Sequence, residues 1–149
     1  MDILKSILLA EDDEKDIVLT MTAFKQNNLL NKVVAVHDGE EALDYLFYKN
    51  KFASREKGNP AVILLDIKMP KIDGLEVLKR IKQDINLKKI PVVILTSSGE
   101  EKDLATSYNL GANSYVVKPV NFNEFIEAVK QLGLYWAVIN QAPPGSVAK

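Results

Sequence analysis

Five short apolar runs, Ser6 to Ala10, Lys32 to Val36, Ala61 to Leu65, Pro91 to Leu95 and Ser114 to Val117, recur along the chain with room for one helix after each. Continuous Val/Ile/Leu runs of this length read as strands buried on both faces, as in a parallel sheet covered by helices. Between them the apolar residues take helical spacing. Ile17, Met21 and Phe24 follow Asp13, expected as a helix cap, and Ala42, Leu43, Leu46 and Phe47 follow the turn pair Asp38-Gly39. Leu75, Leu78 and Ile81 follow Asp73-Gly74, and Leu104, Tyr108 and Leu110 precede Gly111, a helix stop. A fifth helix is expected from Asn121 as N-cap, with Glu124 three residues on and Phe122, Phe125, Ile126, Val129 and Leu132 on one face.

A βα unit repeated five times, with right-handed crossovers, predicts an α/β doubly wound (βα)5 fold: a parallel five-stranded sheet in the flavodoxin-like order 2-1-3-4-5. Ligands of such sheets bind at the carboxyl ends of the strands. Those ends carry Glu11-Asp12-Asp13, Asp66, Thr96-Ser97-Ser98 and Lys118-Pro119. Three convergent carboxylates repel one another and call for a cation. The chain has no Cys and a single His, which excludes thiolate catalysis, Cys-ligated metals, disulfides and multi-His sites. An all-oxygen cluster then suits a hard ion, Mg²⁺ or Mn²⁺. A phosphoryl group on Asp66 would use every corner at once: a carboxylate can attack phosphorus, and a divalent ion, the Thr96 hydroxyl and the Lys118 ammonium would balance the oxygens. A flavin phosphate is excluded, because Glu11-Asp12-Asp13 would repel it.

The segments Ile7 to Asp13, Leu64 to Pro70 with Asp73-Gly74, Val93 to Ser97, and Gly111-Ala112 with Tyr115 to Pro119 resemble the receiver domains of two-component response regulators, over about residues 4 to 130. The resemblance implies Asp66 as phosphoacceptor, and Mg²⁺ held by Glu11, Asp12, Asp66 and the backbone carbonyl of Lys68. It implies Thr96 as the switch hydroxyl, Tyr115 as the aromatic that follows it, Lys118 as the phosphate-pairing cation and a cis bond before Pro119. Ser97 and the Lys68 side chain are candidate modulators; Lys68, two residues after the acceptor, would pair with the phosphoryl group, hinder the attacking water, or lie solvated. Glu11 stands where Asp is commoner in the family.

The polar stretch Asn50 to Pro60, the pair Tyr135-Trp136 and the Asn140 to Pro144 tail look like the small response regulators that partner bacterial phytochromes. The implied organisation is a receiver over 1–132 and an extension over 133–149, disordered at its end, with Tyr135 and Trp136 as dimer-contact candidates. It leaves no room for an output domain. The expected protein is a single-domain regulator, phosphorylated by a sensor histidine kinase of the phytochrome type. It would form a homodimer, signal by contact with a downstream protein, and show no turnover beyond its own phosphorylation and dephosphorylation. A non-phosphorylated pseudo-receiver scaffold and an aspartyl-phosphate phosphatase are the rivals; the second usually needs a carboxylate where Lys68 stands.

With 19 Lys and Arg against 20 Asp and Glu, the chain lacks the basic excess of a nucleic-acid binder. The first apolar run is too short for a signal peptide, and none approaches the roughly 18 residues of a membrane span, so a cytoplasmic location is expected. His37 is expected at the surface, and Lys49, Lys51, Arg55 and Lys57 are read as a solvated loop in preference to an anion site.

Overall fold

A computed structural model describes residues 5–27, 31–97, 99–118, 123–124, 126–128 and 130–131. The strands are β1 (Ile7–Ala10), β2 (Val33–Val36), β3 (Val62–Leu65), β4 (Val92–Thr96) and β5 (Ser114–Val117). The helices are α1 (Glu14–Gln26), α2 (Gly39–Phe47), α3 (Gly74–Gln83) and α4 (Glu101–Asn109), with a short 3-10 turn over Asn50–Phe52. The described residues between 123 and 131 are helical as well. The sheet is parallel throughout, in the expected order β2-β1-β3-β4-β5.

Alternation along the strands divides the core into two layers. Leu8, Ala10, Ile63, Leu65, Val92 and Ile94 face α2 and α3, while Ile7, Leu9, Val62, Leu64, Val93 and Leu95 face α1. Helix α3 sets Val77, Leu78 and Ile81 into the first layer with no exposure. Each such side chain contributes about 1.5–3 kcal/mol by burial. Only β1, β3 and β4 are covered on both faces. The runs of β2 and β5 look equally apolar in sequence, but the strand order places them at the two edges, so β5 is half-exposed and Val117 stands 45% open.

The helices start where the sequence suggests. Asp13 accepts the Lys15 and Asp16 N–H groups, Asp38 that of Glu41, and Asp73 that of Glu76, so each satisfies donors the first turn leaves unpaired. Gly111, at φ 106°, follows the end of α4. Two expected faces are rotated. Helix α1 buries Ile17, Thr20, Ala23 and Phe24 and leaves Met21 exposed; α4 buries Asp103 and Ser107 and exposes Leu104 and Tyr108. Each exposed residue follows a buried polar one by a single step, about 100° around the helix. Thr20 is accommodated because its hydroxyl donates to the Asp16 carbonyl at 2.8 Å. Phe47, at the end of α2, is also at the surface.

The basic stretch after α2 is not simply solvated. Arg55 lies between the rings of Tyr45 and Tyr48, at 3.9 and 4.0 Å, and its side chain donates to the carbonyls of Tyr45, Glu56 and Gly58. Cation–π stacking and three charge-assisted bonds make it the centre of the loop. His37 is at the surface as expected, its ring against Glu41 at 3.2 Å and Glu14 at 3.6 Å. Burial works against ionisation of Glu41, but the Lys51 ammonium and the His37 N–H and ring outweigh it and hold the carboxyl below its ordinary value. A depressed value contributes stability above the ordinary carboxylate range and loses it as pH falls through that range. Glu41→Gln is therefore expected to cost under about 1 kcal/mol at pH 7. Urea titrations should show that difference closing below about pH 4.

Candidate functional site

Parallel pairing brings the motif residues together at one end of the sheet. Ala10 pairs with Leu65, so Glu11 and Asp66 leave adjacent strands at the same level. Thr96 pairs with Val117, so Lys118 follows directly, its N–H donating to the Thr96 carbonyl at 2.7 Å. The Asp66 N–H donates to the Ala10 carbonyl at 3.0 Å, tying the acceptor loop to β1.

Glu11, Asp66 and Thr96 are all buried, at 2%, 6% and 0% exposure, whereas Asp12 is open to solvent. One oxygen each from Glu11, Asp12 and Asp66 can lie within 4.8 Å of the others. That set has the hardness, charge and one open side that a divalent cation with several waters requires. The remaining oxygens are held. Glu11 Oε2 accepts the Asp13 N–H at 3.1 Å, and Asp66 Oδ1 accepts the Ile67 N–H at 2.8 Å. Asp66 Oδ2 faces Lys118 Nζ at 3.6 Å.

Lys118 also donates to Glu11 Oε1 and, at 2.8 Å, to Asp16 Oδ2. Asp16 is the member that sequence reasoning missed. The signal was its place three residues after the cap Asp13, in the first turn of a helix that begins at the site, which returns a carboxylate over the strand ends. Burial pushes the Glu11 carboxyl up to about 7, with the charge of Asp66 adding to the rise and Lys118 opposing it. Burial opposes the charge of Lys118 too, but its bonds to Asp16 and Glu11 outweigh that and raise its value. The ammonium therefore stays charged between them.

Thr96 and Tyr115 share a face of the sheet, since Ile94 pairs with Tyr115 and Thr96 lies two residues beyond Ile94. Tyr115 is half-buried against the α2–α3 layer. Ser97 and the Lys68 side chain are exposed at the rim. Pro119, where a cis bond was expected, lies outside the described residues, as do Tyr135 and Trp136 and most of the fifth helix's expected face.

The loop after Asp66 is placed by a close approach. The Gly74 N–H donates to the Ile67 carbonyl at 2.7 Å, and a Cβ on Gly74 would lie 2.0 Å from the Asp66 carbonyl oxygen. Gly39 serves the far end of the same loop, where a Cβ would meet the Ile72 carbonyl at 1.9 Å.

Comparison with known proteins agrees with the fold. The family model described as the response regulator receiver domain matches residues 7–130. The response regulator Rcp1 of Synechocystis is 36% identical over 132 residues, 89% of this chain and 88% of that protein. Its Mn²⁺-bound crystal structure superposes with a TM-score of 0.82, covering 89% of this chain and 94% of that one. The phosphorylated cyanobacterial phytochrome response regulator RcpA superposes at 0.85 with 39% identity, covering 92% and 96%. The bacteriophytochrome response regulator RtBRR is 54% identical, with a TM-score of 0.78 over 98% of this chain and 88% of that one.

Proposed function

The chain belongs to the response regulator receiver family, and from that membership we propose a single-domain regulator that accepts a phosphoryl group on Asp66. The observation that carries this reading is a buried carboxylate with one oxygen 3.6 Å from a buried ammonium, inside a cluster of carboxylates that one ammonium cannot neutralise. Asp66 Oδ1 is occupied by the Ile67 N–H, so Oδ2 is the attacking oxygen. In the transfer the Oδ2–P bond forms as the P–N bond of a phosphohistidine donor breaks, and the leaving imidazole keeps the electron pair and takes up a proton. Lys118 and the Thr96 hydroxyl pair with the phosphoryl oxygens, where charge develops. Glu11, Asp12 and Asp66, with the Lys68 carbonyl, hold Mg²⁺ or Mn²⁺, which supplies charge neutralisation when bound.

As Thr96 turns toward the phosphoryl group, Tyr115 on the same face follows, and the surface with Leu104, Tyr108 and Val117 changes for whatever reads it. Ser97 and the Lys68 side chain modulate access from the rim. The donor is a sensor histidine kinase; the names of RcpA and RtBRR support a phytochrome-type one. The receiver spans 1–132, and the extension over 133–149 takes part in a homodimer through Tyr135 and Trp136. Output is contact with a downstream protein, in the cytoplasm, without turnover of other substrates and without nucleic acid. Among the described residues no helix is long and apolar enough to cross a membrane.

Acetyl phosphate with Mg²⁺ is expected to add one phosphoryl group to the full chain by intact mass, and Asp66→Asn to abolish it. Labelling of Asp66→Asn at the wild-type level would sink the assignment. Hydrolysis of generic phosphomonoesters would favour the phosphatase rival, and failure to bind Mg²⁺ or label would favour the scaffold.

A further inference from the structure

Lys118 is held by a carboxylate that has no part in the cation cluster. Its Nζ is 2.8 Å from Asp16 Oδ2 but 3.6 Å from Asp66 Oδ2, and its side chain is nearly buried where Asp16 is about one-third open. Asp16 does not belong to the group formed by Glu11, Asp12 and Asp66. Its backbone is anchored twice: its N–H donates to the cap residue Asp13, and its carbonyl accepts the hydroxyl of buried Thr20. The carboxylate is thus presented to Lys118 from a rigid turn.

We propose that Asp16 is a positioning residue that restrains Lys118 in the unphosphorylated protein, and so sets how readily the site takes a phosphoryl group. The inference rests on the reading of Asp66 as acceptor. Two effects act in the same direction. Glu11 gives up Lys118 when its oxygens turn to a cation, but Asp16 is not a ligand and keeps its hold, so a phosphoryl group must draw the ammonium against it. Three carboxylates, Glu11, Asp16 and Asp66, also face one ammonium, and a phosphoryl group adds further negative charge. Asp16 therefore disfavours the phosphorylated state through contact and through charge, and contact is the larger effect at 2.8 Å.

The test is titration of the full chain with beryllofluoride, a non-covalent mimic of the phosphoryl group, in saturating Mg²⁺, followed by calorimetry. Asp16→Asn, nearly the same shape, is expected to bind beryllofluoride about fivefold more tightly than the wild type. Its affinity for Mg²⁺ alone should fall slightly, the reverse sign, which a general loosening of the fold would not produce. Glu14→Gln removes the same charge from the same turn without touching Lys118, and should change beryllofluoride affinity less than twofold. Asp16→Ala repeats the measurement should the amide disturb folding. Unchanged or weaker beryllofluoride binding in both Asp16 variants overturns the restraint, as does an equal gain in Glu14→Gln. A wild type that does not bind beryllofluoride strikes instead at the acceptor reading, so the two failures are distinguishable.

Discussion

Replacing Gly74 by alanine is expected to cost about 3 kcal/mol of stability, at the upper end of the range for overpacking. It should also weaken Mg²⁺ binding at least tenfold. The added Cβ would lie 2.0 Å from the Asp66 carbonyl oxygen and 2.8 Å from the Ile67 Cα. Both neighbours are backbone, so no rotamer change relieves the clash. Either α3 moves out, opening the layer that holds Val77, Leu78 and Ile81, or the Asp66 loop moves and carries the acceptor off its level beside Glu11. A loss of this size is a large part of the 5–15 kcal/mol that holds a typical domain together. Gly99→Ala is the control, since a Cβ there meets nothing within 4 Å. Urea unfolding with calorimetric Mg²⁺ titration checks both; a Gly74→Ala protein as stable as wild type would contradict the close approach.

Divalent cation binding should appear as stability. The buried Glu11 and Asp66 carboxylates share one ammonium, and burial already lifts Glu11 to about 7. A cation held by the folded site and not by the unfolded chain stabilises the fold, so Mg²⁺ at one hundred times its dissociation constant is expected to add about 2.7 kcal/mol. Asp12 separates metal binding from fold energetics because it is exposed and makes little contribution to the metal-free core. Asp12→Asn should therefore unfold like wild type in EDTA and lose most of the Mg²⁺ increment. Equal increments in the two proteins would remove Asp12 from the ligand set.

Much of this site is readable in one dimension because its parts sit at strand ends. A strand's carboxyl end is marked by where an apolar run stops, and Ala10-Glu11, Leu65-Asp66 and Val117-Lys118 are abrupt boundaries. Once the strands are parallel, those boundaries must meet. Asp16 lacks such a mark. It stands in an amphipathic helix where a carboxylate is the ordinary solvent-facing residue, and only the placement of α1 over β1 brings it to Lys118. Met21, Leu104 and Tyr108 mislead for a related reason. Apolar residues were taken to mark the buried face, but Thr20, Asp103 and Ser107 occupy it, and the Thr20 hydroxyl, bonded to its own helix, is buried at little cost. Arg55 looked like one more solvated cation because nothing local announces that Tyr45 and Tyr48, separated by a helix end, will close around it.

Periodicity and run length were enough for the strand count, the parallel doubly wound architecture, the cap at Asp13, the turns at Asp38-Gly39 and Asp73-Gly74, and the arrival of Glu11, Asp12, Asp66, Thr96 and Lys118 at the carboxyl ends of the strands. These are local properties, set by backbone alternation and by which side chains can tolerate burial. Tertiary structure alone decided which side of α1 and α4 turned inward and that Asp16 took Lys118. Those outcomes depend on distances between segments far apart in the chain, such as the 102 residues between Asp16 and Lys118, and packing of the whole sheet sets them.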